Sequence, residues 1–74
     1  MVIRYTDPRK TLGAAIRKTR LARGLTQEQL AEKADFHPVY IGELERGEQT
    51  ASVAALMRIA KALKVRVRDL VKDL

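Results

Sequence analysis

Residues 25–47 read LTQEQLAEKADFHPVYIGELERG, and the order of caps and breaks within them decides the fold. Thr26 followed by Gln29 makes a capping box, in which the threonine hydroxyl accepts from the Gln29 N–H while the glutamine side chain reaches back to Thr26. A helix therefore starts there, with Leu30, Ala31 and Ala34 as its inner face. Asp35 tolerates the left-handed backbone that a sharp turn requires. A second helix starts at His37-Pro38, with proline at its first position, where the missing N–H costs nothing. It buries Ile41 and Leu44, anchored with Phe36 from beneath, and stops at Gly47. Ala31 is small where the two helices must approach closely. Such a unit splays its second helix outward, leaving Pro38, Val39, Gly42, Glu43 and Arg46 on the outer face.

The same punctuation extends to both sides. Asp7 and Pro8 cap a first helix whose Leu12, Ala15, Ile16 and Thr19 form an apolar stripe, and Gly24 supplies a stop that can take a positive φ. Ser52 caps a fourth helix, in which Val53, Leu56, Met57, Ala60 and Leu63 follow the i, i+3, i+4 spacing of a core stripe. Val67, Leu70, Val71 and Leu74 repeat that spacing in a fifth. Strands find little support. The pattern predicts an all-α, compact five-helix bundle: an N-terminal arm over residues 1–7, one domain over 8–74, and a helix-turn-helix over about 26–46. The arm is expected to be its flexible part.

Composition narrows the function. A folded chain of 74 residues buries only about 60% of its unfolded surface, which leaves little room for an enclosed active site. Cysteine is absent and His37 is the one histidine, without acidic companions at ligand spacing, so neither a metal site nor a cofactor is expected. The carboxylates lie scattered on solvated helical faces, so no enzyme is expected. No apolar run approaches the roughly 18 residues of a membrane span, and the first residues lack a signal-peptide core, which makes a soluble, cytoplasmic chain the default. Fifteen basic against nine acidic residues give a net charge of +6, which favours polyanionic partners.

At this point a resemblance carries the reading further. LGAAIRKTRLARGLTQEQLAEKA (residues 12–34), YIGELERG (40–47), SVAALMRIAKAL (52–63) and VRVRDLV (65–71), in this order, resemble the Xre-type helix-turn-helix family of phage repressors, Cro proteins and small bacterial regulators. The resemblance implies a lambda-repressor-like bundle and binding of double-stranded DNA. Gln27 matches a glutamine that touches phosphate while supporting the recognition helix. Arg20 and Glu45 match a partly buried ion pair tying the first helix to the third. Pro38, Val39, Gly42 and Glu43 fall where the family reads bases: Val39 suits a thymine methyl, Glu43 suits cytosine N4, and Gly42 offers no side chain. Arg46, Gln49 and Thr50 fall where it grips the backbone. His37 matches the usual serine or threonine cap position and suits a cap or a phosphate contact. Tyr40 suits either phosphate or packing against the first helix.

One feature opposes this. Over residues 26–48, Lys33 and Arg46 face Glu28, Glu32, Asp35, Glu43, Glu45 and Glu48, a net −4 that leaves +10 elsewhere. Acidic groups at contact distance repel phosphate. Pairing of Glu45, placement of Glu28 and Glu32 on the bundle flank, and the positive N-terminus of the third helix soften the objection; Glu48 has no such relief. Lys64 and Arg66 also replace the glycine and cap seen in relatives, so the start of the fifth helix is open. The leading function is a transcriptional regulator binding a palindromic operator as a homodimer through Val67, Leu70, Val71 and Leu74, as in restriction-modification controllers. The alternative is a protein-interaction or antitoxin-type module on the same fold.

Overall fold

Five helices form around one core in the computed structural model, which describes residues 7–74: α1 (Pro8–Ala22), α2 (Gln27–Ala34), α3 (Pro38–Glu45), α4 (Val53–Leu63) and α5 (Val67–Val71). No strand occurs among the described residues. The expected N-terminal arm, Asp7 apart, lies outside them.

Local chemistry sets the helix starts as the sequence predicts. Asp7 accepts from the Arg9 N–H at 3.0 Å, the Thr26–Gln29 box closes in both directions, and Ser52 Oγ accepts from the Ala55 N–H at 3.0 Å. Gly24 ends α1 with φ 70°, and the Leu25 N–H returns to the Arg20 carbonyl at 3.1 Å.

Leu12 and Ile16 of α1 meet Leu30, Ala31 and Ala34 of α2, Ile41 and Leu44 of α3, Leu56, Ile59, Ala60 and Leu63 of α4, and Leu70 of α5. At Gly13, α1 and α3 approach closely. A Cβ there would sit 2.3 Å from the Leu44 carbonyl oxygen and 2.6 Å from that of Glu45. Only glycine permits this backbone contact, and it holds α3 hard against the bundle.

Two expectations for the C-terminal half are corrected. Val53 and Met57 are not core residues: they are 71% and 59% exposed, and Ala55 and Ile59 are buried in their place. At 3.6 residues per turn, Leu56, Ala60 and Leu63 make one line along α4, with Ile59 and Ala55 on one side of it and Met57 and Val53 on the other. Spacing alone fits either stripe, and the packed one takes the Ile59 side. In α5, Leu70 is 2% exposed and packs into the chain's own core, so it is not available to a second copy, whereas Val67 and Val71 are half-buried; Leu74, expected on this helix, lies beyond its end at Val71 and is exposed. The open start of α5 resolves at Val67: Lys64 itself takes the left-handed conformation, φ 59°, and Asp69 accepts from the Arg66 N–H at 2.9 Å.

Candidate nucleic-acid interface

The turn between α2 and α3 is held from three directions. Asp35 adopts φ 60°, ψ 51°, and the Phe36 N–H bonds back to the Ala31 carbonyl at 2.8 Å, satisfying the end of α2. From α4, Arg58 donates to the Ala34 and Asp35 carbonyls and lays its guanidinium 3.9 Å from the centre of the Phe36 ring. Phe36 in turn packs on Tyr40 with ring centres 4.9 Å apart. Arg23 plays a similar part for α4, donating to the Leu63 carbonyl at 2.9 Å. These two arginines are absent from the sequence reading. Their partners lie far along the chain and are backbone carbonyls, which leave no pattern in residue types.

Beneath α3 sits the expected ion pair. Arg20 Nε and Nη2 meet the two Glu45 carboxylate oxygens at 2.6 and 2.9 Å, with side chains only 8% and 2% exposed. Arg20 Nη1 also donates to the Leu25 carbonyl at 2.8 Å. Donation to the Glu45 carboxylate holds the guanidinium pKa above its ordinary value against the opposing effect of burial. Gln27 completes the set by donating from Nε2 to Glu45 Oε1 at 3.1 Å, which ties the start of α2 to the end of α3. Among the described residues no buried side-chain polar atom lacks a partner.

Above this support, Gln27, Glu28, Pro38, Val39, Gly42 and Arg46 line a shallow groove of about 250 Å³. Val39 is exposed, while Pro38 and Glu43 are half-buried. Gly42, expected on the open face, is buried: a Cβ on it would lie 3.1 Å from Arg46 Nη1 and 3.5 Å from Gln27 Oε1. The Gln27 and Arg46 side chains cover it because it has none of its own.

His37 caps α3, its Nδ1 accepting from the Val39 N–H at 3.1 Å. Since Pro38 has no N–H and that of Val39 is used, the first turn of α3 offers a phosphate less than the expected positive helix end. The Tyr40 hydroxyl donates to the Thr50 carbonyl at 3.3 Å, an exposed bond. Thr50 is thereby fixed beside α3 by its backbone.

The acidic groups fall differently from expectation. Glu48 is not unopposed: it forms a two-bond fork with Arg46, at 2.9 Å from Nε and 3.1 Å from Nη2. Gln49 donates to Glu43 at 3.2 Å. Glu28, expected on the bundle flank, lines the groove beside α3, and Glu32 is exposed.

Comparisons with known proteins agree with this geometry. The helix-turn-helix family matches residues 16–70. The chain is 38% identical over 66 residues to the control protein C.SmaI of Serratia marcescens, covering 89% of this chain and 79% of that one. The crystal structure of the restriction-modification controller protein C.AhdI from Aeromonas hydrophila superposes with a TM-score of 0.83 at 34% identity, covering 84% of this chain and 94% of that one. The clp gene regulator ClgR from Corynebacterium glutamicum gives a TM-score of 0.85 at 36% identity, covering 95% and 90%.

Proposed function

The chain belongs to the helix-turn-helix family, and from that premise we propose that it binds a palindromic operator as a homodimer, with α3 in the major groove. That it is a DNA-binding transcriptional regulator, and not an enzyme, follows from the family and its relatives. The observation that carries the finer reading is the Arg20–Glu45–Gln27 set, which fixes α3 on a rigid base with Val39 exposed above it. A reading helix must keep its register on the duplex, and buried charge pairs give that rigidity.

On this reading Val39 and Glu43 address base edges with Pro38 beside them, and Gly42, covered by Gln27 and Arg46, serves by making room for those two side chains. Gln27, His37, Tyr40, Arg46, Gln49 and Thr50 lie at the phosphates. The dimer surface consists of Val67 and Val71 on α5 with Leu74 just beyond it, and the exposed Val53 and Met57 on the adjoining α4 are further apolar surface for a second copy. Similarity to C.SmaI and C.AhdI favours a restriction-modification controller role, for which restriction endonuclease and methyltransferase genes should adjoin this one.

Selection of bound sites from randomised duplexes tests the reading. Palindromic sites are expected, with half-site centres about 34 Å apart, one turn of DNA. Sites without two-fold symmetry, or a wild type that sediments as a monomer, would remove the dimer, and a Leu74→Asp variant that sediments as a dimeric wild type does would remove this surface.

A second reading, a protein-interaction or antitoxin-type module, draws support from the acidic motif and from the pairing of Arg46 with Glu48. It requires that binding to DNA show no steep fall with salt, whereas the regulator's affinity must fall steeply as phosphate contacts release counterions.

A further inference from the structure

Arg46 follows the last turn of α3, and its guanidinium is already occupied. Both Glu48 oxygens are hydrogen-bonded by it, yet the two side chains are 57% and 54% exposed, so this is a surface pair on the proposed DNA side and not a buried structural one. The Arg46 fork holds the Glu48 carboxyl below the usual carboxylate range.

The backbone builds this arrangement. Gly47 takes φ 75°, its N–H bonds to the Leu44 carbonyl at 3.1 Å, and the Glu48 N–H bonds to the Glu43 carbonyl at 2.9 Å. A Cβ on Gly47 would lie 2.7 to 3.1 Å from atoms of Lys10, so the turn is pressed against α1 and cannot drift. Glu48 is thereby delivered to Arg46 by a fixed turn, with little loss of chain freedom on pairing. On the other side, Arg46 Nη1 lies over Gly42, in space that any larger residue would contest. The guanidinium has a seat: a glycine beneath it and a carboxylate facing it.

We infer that Gly42 and Glu48 form a parking site for Arg46, and that Glu48 acts as a built-in competitor of DNA phosphate for that guanidinium. The inference rests on the DNA-binding reading and deepens it. A phosphate must displace the carboxylate before Arg46 can grip the backbone, on operator and random DNA alike. The effect is therefore on affinity for every sequence, and the preference between sequences stays as it is. Since exposed pairs are worth little, the expected penalty is roughly two- to five-fold for each protomer. Gln49, held by Glu43, shows the same self-pairing in weaker form.

The test is a four-protein cycle: wild type, Glu48→Gln, Arg46→Gln and the double variant, titrated by fluorescence anisotropy onto a random-sequence duplex and onto a duplex recovered by site selection. Far-UV circular dichroism checks that each is folded. Glu48→Gln should tighten both duplexes about equally, by roughly two- to five-fold for each bound protomer. Arg46→Gln should weaken both and flatten the salt dependence by about one ion per protomer. In the Arg46→Gln background the Glu48 substitution should have little effect. Equal tightening in both backgrounds overturns the inference, because Glu48 would then act by plain repulsion of phosphate. An Arg46→Gln variant with unchanged salt dependence also overturns it while leaving the DNA reading intact. Failure of the wild type to bind either duplex removes the DNA reading itself, and this inference with it.

Discussion

Replacing Glu45 by alanine should be among the most damaging single changes available to this chain. The substitution strips Arg20 of both its charge-assisted bonds and leaves it, 8% exposed, with the Leu25 carbonyl as its remaining partner. It also removes the acceptor of the Gln27 amide. Breaking a buried pair by deleting one partner costs about 3 to 5 kcal/mol, because the surviving charge stays desolvated. Since Arg20 keeps one bond and sits near the surface, the lower end, about 3 kcal/mol, is expected.

A domain of this length has a total stability of roughly 4 to 11 kcal/mol. A loss of about 3 kcal/mol lowers the melting temperature by roughly 12 to 24 °C at 4 to 8 °C per kcal/mol. In urea, with a slope of about 1 kcal/mol per molar, the midpoint should fall by about 3 M. Thermal and urea unfolding followed by circular dichroism measure both. The charge explanation also requires that Arg20→Met combined with Glu45→Leu lose less than Glu45→Ala alone, since no unpaired charge then remains. The Gln27 bond is still lost, at about 1 kcal/mol. A double variant as unstable as the sum of the two single variants would refute the reasoning, as would a Glu45→Ala protein melting within error of the wild type.

Gly13→Ala should destabilise by about 3 kcal/mol or more, because its Cβ meets backbone that cannot rotate away; Gly24→Ala, at φ 70° in open space, should cost only about 1 to 2 kcal/mol, and equal urea midpoints for the two would remove the close-approach argument. Arg58→Ala should cost roughly 1 to 2 kcal/mol through loss of two carbonyl bonds and the Phe36 contact, and Arg58→Lys should fail to restore it, since one ammonium cannot make both carbonyl bonds from above the ring. In site selection, Glu43→Ala should change the preference at one position per half-site, whereas Gln27→Ala should weaken all sites alike; identical preferences for wild type and the Glu43 variant would remove Glu43 as a base reader.

What was legible in the sequence is what is decided within a turn of chain. The caps at Asp7, Thr26, His37 and Ser52, the left-handed Asp35, and the stops at Gly24 and Gly47 all follow from the chemistry of one residue and its near neighbours. The Arg20–Glu45 pair spans 25 positions and was accessible only through resemblance to a family. Arg58 and Arg23 show the opposite limit. Each acts on the carbonyls at the end of another helix, and a carbonyl is carried by every residue type. The α4 stripe failed for a different reason: a 3.6-residue period fixes that a helix has an apolar side, while the partner helix selects which of two overlapping sides is used.

Charge was the feature read least well, because a sum has no position. Of the six carboxylates in the motif, Glu45 is spent on Arg20, Glu48 on Arg46 and Glu43 on Gln49, and Asp35 lies 3.8 Å from Arg58. Of the six, Glu28 and Glu32 make neither a hydrogen bond nor an ion pair through the carboxylate, and of these Glu28 alone lines the groove beside α3. The carboxylates behind the net −4 therefore divide into a buried one that ties α3 to α1, surface ones that occupy the chain's own cationic and amide donors, and the unpaired Glu28 and Glu32. The first kind does not meet phosphate at all. The second kind meets it as a competitor, which lowers affinity by a bounded factor and leaves the shape of the contact surface unchanged.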